Sequence, residues 1–108
     1  MLFIVTKPPQ FTVGVFSCEA ISANDAAALI SSTNASGDVK AYLFHGATKR
    51  ALKLMTGIDF EMVQKTNVPI PTDGDQFLHI KVKPGSSGRP NVEDLEFLKI
   101  DFAAAKSI

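Results

Sequence analysis

The chain has 108 residues, 45% hydrophobic and 20% charged, a composition that belongs to a folded globular chain and excludes a disordered one. Eleven Lys and Arg balance eleven Asp and Glu, so no overall field draws the protein to a long polyanion or a membrane surface, while a small anionic ligand held by local charges stays open. This length predicts one domain that closes a core unaided, and the single cysteine, Cys18, neither pairs internally nor builds a zinc cluster alone. No apolar run reaches the ~20 residues a membrane span needs, and no basic-then-apolar leader opens the chain, so the expected compartment is the cytoplasm.

In chain order, Leu2-Phe3-Ile4-Val5 reads as a buried strand stopped by Lys7-Pro8-Pro9, because proline cannot continue a ladder. Phe11 to Ala20 alternates loosely and is expected to be a second strand. Ser22 then caps a helix, with Asp25 three residues on, and Ala26, Ala27, Leu29 and Ile30 supply propensity and a buried stripe. Ser31 to Asp38, SSTNASGD, reads as a loop.

The stretch Lys40 to Gly57 changes period midway. Ala41-Tyr42-Leu43-Phe44 is a short apolar strand, whereas from Gly46 onward Ala47, Ala51 and Met55, with Leu52 and Leu54, mark a helical face that Gly57 can close. His45 stands at the join. A strand that passes directly into a helix exposes free N–H groups and the positive dipole end, which favour an anion such as phosphate. An imidazole there, with an ordinary pKa near ~6.5, is the first candidate for chemistry.

After Gly57 the chain becomes extended again. Ile58, Phe60 and Met62 alternate with Asp59 and Glu61, and Val68-Pro69-Ile70-Pro71 reads as an edge or irregular strand. Thr72-Asp73-Gly74-Asp75 is a turn, and Phe77 to Lys83 a strand, so a hairpin is expected. Within that strand His79 reads as facing solvent, and Lys81 and Lys83 as facing water or blunting an edge. Pro84 to Pro90 reads as a loop. Asn91 caps a short helix through Asp94 and Leu95, and Leu98 to Phe102 is the last strand. The expected fold is therefore mixed α/β, a single small domain with a mixed five- or six-stranded sheet and flanking helices.

Several short motifs, in this order, resemble one family. Ala20-Ile21-Ser22 precedes the first helix, Phe44-His45-Gly46-Ala47-Thr48 opens the second, Thr56-Gly57 closes it, and Gly74-Asp75 precedes the strand to Lys83. The chain is similar to the small viral and bacterial ring-nuclease family first met in archaeal viruses as a type III anti-CRISPR protein. The resemblance implies a homodimer with a ligand pocket at the subunit interface. It also implies binding of cyclic tetra-adenylate and its cleavage without metal or other cofactor. A ribose 2′-hydroxyl would attack the adjacent phosphate while His45, as general acid, protonates the departing 5′-oxygen. Glu93 would be its acidic helper, and Thr6, Gly46, Thr48, Lys49 and Arg89 would hold the ligand.

The chain also departs from the family. Phe44 replaces the glycine before the histidine. The family's Arg-Leu-Pro-Glu-Gly loop gives way to the longer Pro84 to Pro90 segment, with Arg89 and Glu93 spaced four apart where the family has three. Three functions therefore stand together: a ring nuclease, a non-catalytic sponge for a cyclic nucleotide defence signal, and a protein-interaction module that keeps only the fold. The expected partners are a cyclic oligonucleotide and a second copy of the chain, with no long nucleic acid and no membrane; for a viral protein the compartment would be the host cytoplasm.

Overall fold

The four apolar residues Leu2–Val5 form strand β1, buried along its whole length, as only an interior strand covered on both faces can be. The computed structural model describes residues 1–6, 14–43, 46–60, 70–83 and 92–104. After β1 come β2 (Gly14–Ile21), helix α1 (Ala23–Ala35), β3 (Val39–Tyr42), helix α2 (Gly46–Thr56), β4 (Gln76–Val82), a 3₁₀ turn (Val92–Asp94) and β5 (Leu95–Ala104). The five strands form one mixed sheet in the order β2-β5-β4-β1-β3. β1 pairs in parallel with β3 and β4, while β5 runs antiparallel to both β4 and β2.

Period-two alternation divides the strand residues between two cores. Leu2, Ile4, Ala41, Leu78, Ile80, Leu95 and Phe97 turn to the face that receives Ala26 and Ile30 of α1 and Ala51 and Leu52 of α2. Phe3, Val5, Phe77 and Ile100 turn to the opposite face, joined by half-buried Phe16, Tyr42 and Leu98, and the rings of Phe3 and Phe77 stack at 5.3 Å. No helical residue belongs to this second cluster among the described residues.

Several boundaries differ from the sequence reading. β2 runs Gly14–Ile21, and residues 11–13 of the expected strand lie outside the described residues. Ser22 caps α1 as expected, its hydroxyl accepting from the Asp25 amide at 3.1 Å. The helix nevertheless continues through most of the expected loop to Ala35. Ser32 and Thr33 bond back to the Leu29 carbonyl at 3.2 and 2.7 Å, so these side chains stay within the helical hydrogen-bond pattern instead of breaking it. The reversal falls at Gly37, whose φ of 74° suits glycine. Gly57, with φ 73°, closes α2 as read.

No hairpin partner for β4 is found among the described residues: 61–69 of the expected extended segment lie outside them, residues 70 and 71 are not strand, and β4 has β1 on one side and β5 on the other. The Asp73-Gly74 turn is present, braced by Thr72 donating from its amide and hydroxyl to the Asp75 carboxylate at 2.9 and 2.8 Å. The expected last helix is only the 3₁₀ turn, and Leu95 already belongs to β5. No helix among the described residues is long and apolar enough to cross a membrane.

Candidate functional site

Strand direction places the site. β1, β3 and β4 are parallel, and β2 opposes β5 as β5 opposes β4, so every strand except β5 finishes at the same end of the sheet and β5 begins there. In open α/β sheets this carboxyl end is where connections diverge and ligands are held. Here it gathers Thr6 after β1, Ser22 after β2, the start of α2 after β3, Lys83 after β4, and the 3₁₀ turn carrying Glu93 before β5. α2 packs against that turn, which joins the two sides of the assembly.

A cleft of about 520 Å³ opens at this end on the side of β2, β5 and β4, within the ~300–1,000 Å³ range of small-molecule sites. Ser22, Lys81, Lys83, Glu93 and Glu96 supply its polar groups, over an apolar wall that includes Phe97 and Leu98. Lys81 stands directly opposite Glu96 in the β4–β5 register. The Lys83 ammonium donates to the Glu93 main-chain carbonyl at 2.9 Å, and the Lys83 amide donates to the Asp94 carbonyl at 2.8 Å. An ammonium has three donors, so one hydrogen bond to the chain leaves two for an anionic ligand. Glu93 is exposed.

The other sequence candidates fall unevenly. Thr6 is half-buried at the end of β1, and Gly46 is the first residue of α2. Thr48 is only 3% exposed, so it belongs to the packed side of α2 and not to an open surface. Lys49 is engaged with Asp59 at 3.3 Å, an exposed pair worth at most about 1 kcal/mol and easily exchanged for a ligand phosphate. His45 and Arg89 lie outside the described residues, as does the 84–90 segment. Among the described residues, no three His, Cys, Asp or Glu side chains are grouped to hold a metal ion.

One residue of β4 was misread from sequence. His79, expected to face solvent, is 4% exposed. It stands opposite Val5 on one side and Leu98 on the other. Burial lowers its pKa below the ordinary 6.5, outweighing the opposing influence of the Thr6 main chain, and Lys81 lowers it further. Lys81 and Lys83 are indeed exposed, but β4 is an interior strand, so they border the cleft instead of blunting an edge. The alternation of β4 was legible; that its second face is also covered was not.

No protein-family model and no curated protein matches the chain. Among solved structures, B116 of Sulfolobus turreted icosahedral virus is similar, with a TM-score of 0.68 over 92% of this chain and 97% of that one, at 13% identity. The shared feature is the fold, and the neighbour is a protein of an archaeal virus.

Proposed function

We propose that the chain is a homodimeric receptor for a cyclic oligoadenylate, acting in viral counter-defence in the host cytoplasm, and that it opens the ring without metal. The observation that carries this reading is the convergence of strand ends, α2 start and Glu93 turn on one cleft-bearing end of the sheet. Lys81 and Lys83 offer cations to phosphate there, and α2 begins at the same end of the sheet, where a helix N-terminus is a positive dipole end. The apolar wall suits the faces of adenine rings.

A cleft of about 520 Å³ is small for a whole tetranucleotide ring, which favours a cavity completed by a second copy. β2 is an edge strand, and Ala20 at its far end borders the cleft. A partner seated on that half of β2 therefore stands beside the ligand.

In the proposed reaction, a ribose 2′-oxygen forms a bond to the neighbouring phosphorus as the bond from phosphorus to the 5′-oxygen breaks. The 2′-hydroxyl proton leaves to a base, for which Glu93 is the candidate, and the 5′-oxygen takes a proton from His45. Arg89, Lys49, Gly46 and Thr6 complete the ligand contacts in this reading, while Thr48, on the packed side of α2, is left out of them.

The test is incubation of the protein with cyclic di-, tri- and tetra-adenylate, with intact and opened rings resolved by mass spectrometry and binding followed by calorimetry. The expected result is one cyclic tetra-adenylate per two chains and a linear product without divalent metal. Glu93→Gln and His45→Ala are each expected to slow opening about a hundredfold or more while affinity changes little. Binding without opening reduces the function to sequestration, and no binding to any ring removes the proposal.

A further inference from the structure

The two edges of the sheet differ. β3 is four residues long and carries Lys40, which discourages further pairing, whereas β2 runs eight residues against β5 in an unbroken register, with no proline, lysine or bulge. The direction of its free main-chain groups follows from β5. Phe102 accepts from the Gly74 amide at 3.0 Å and donates to the Asp75 carbonyl at 2.9 Å, so it faces the chain entering β4. Residues alternate in this respect along a strand; Lys99 and Asp101 therefore face β2, and their partners Glu19 and Ser17 face back. Gly14, Phe16, Cys18 and Ala20 are left with amide and carbonyl pointing out of the sheet. No strand lies beyond them among the described residues, and Val15 and Ser17 through Ala20 are exposed.

This edge is complementary to itself. Two antiparallel copies of β2 centred on Ser17 set Gly14 against Ala20, Phe16 against Cys18 and Val15 against Glu19, so every outward amide and carbonyl is used and no like charges meet. Centring on Phe16 or Cys18 would carry one end past the strand. We propose that β2 pairs about Ser17 with β2 of a second copy, and that the partner's Phe16 forms the wall the cleft lacks beside Ala20. Ala20 and its register partner Leu98 both line the cleft. The partner's Phe16 stands diagonally across from Ala20, a spacing of ~7–8 Å that an aromatic ring spans. In each chain this ring packs on Phe102 at 4.8 Å, so it is presented already held. The role of Phe16 toward a ligand rests on the function proposed above, but the strand pairing does not.

The test begins without nucleotide. Sedimentation is expected to show a dimer, and Ser17→Lys, which sets two ammonium groups against each other, to raise its dissociation constant about tenfold or more. In a Cys18→Ser background, Ser17→Cys treated with oxidised glutathione is expected to link two chains by a disulfide, since directly opposite Cα atoms of such a pair lie ~4.5 Å apart. Val15→Cys in the same background is expected not to link, its copies being offset along the strands. A monomer at every concentration overturns the proposal and leaves the edge to a strand of another protein. A dimer that links no better through Ser17→Cys than through Val15→Cys also overturns it. Should Ser17→Lys not fold, the cross-linking comparison decides. Phe16→Leu is then expected to remain dimeric and to lose about tenfold in calorimetric affinity for cyclic tetra-adenylate; unchanged affinity overturns the part given to Phe16. A dimer linked through Ser17→Cys that binds no ring supports the pairing and removes only the function proposed above.

Discussion

Lys83 and Glu93 are ten residues apart in sequence, yet the Lys83 ammonium lies 2.9 Å from the Glu93 carbonyl oxygen. A second bond, from the Lys83 amide to the Asp94 carbonyl at 2.8 Å, runs beside it. The end of β4 and the start of β5 are thus joined at their base, whatever path the intervening residues take. The consequence is that Glu93 is held at the cleft by its main chain while its carboxylate stays exposed.

Replacing Lys83 by Met keeps the stem and deletes the ammonium. Because the side chain is exposed, global stability is expected to fall by less than about 1 kcal/mol. Affinity for cyclic tetra-adenylate is expected to fall about tenfold, since a phosphate partner and the Glu93 tie are lost together. Calorimetric titration beside thermal melts separates the two effects, and equal affinity in both proteins would remove Lys83 from the site.

Acid should weaken the fold partly through His79. Burial lowers its pKa in the folded state below 6.5, so on acidification the unfolded chain binds the proton first and stability rises with pH across that window. The contribution is complete above about pH 6.5, is lost as the pH falls toward the folded pKa, and then stops changing. On the same face among the described residues stand Lys81, Glu96 opposite it, and Lys40 and Tyr42 of β3. Urea unfolding of wild type and His79→Gln from pH 7.5 to 5 isolates the effect, because these other groups are common to both. Parallel stability curves would contradict it.

Gly14 opens β2 opposite Ala104, where the chain passes close to Phe102 and Ala103. A Cβ at this position would meet the Phe102 ring and lie 2.5 Å from the Ala103 carbonyl oxygen. Since backbone cannot yield as a side-chain tip can, Gly14→Ala is expected to cost about 1–3 kcal/mol in chemical unfolding. A neutral result would show that this end of the β2–β5 pair shifts freely.

Leu52 and Leu54 in α2 should behave oppositely. Leu52 is wholly buried in the core on the helix side, whereas Leu54 is 76% exposed. Leu52→Ala is expected to cost about 2–5 kcal/mol, and Leu54→Ala to stay within about 0.5 kcal/mol. Similar losses for both, measured by urea unfolding, would mean that Leu54 is covered in solution by a second copy.

What the sequence by itself determined was local. The buried run Leu2–Val5, the Ser22 cap, the αL closure at Gly57 and the Asp73-Gly74 turn each depend on residues within a few positions of one another, where backbone sterics and short-range hydrogen bonds decide. The mixed α/β class followed from their order. The tertiary structure alone decided which strands are neighbours, and with that the fate of His79: its alternation is the same on an edge or an interior strand, but placing β4 between β1 and β5 turned an expected solvent-facing imidazole into a buried one. It also brought Lys83 to Glu93 and gathered the strand ends around one cleft, because such contacts depend on strand direction and order, and these are fixed only when distant apolar faces bury one another.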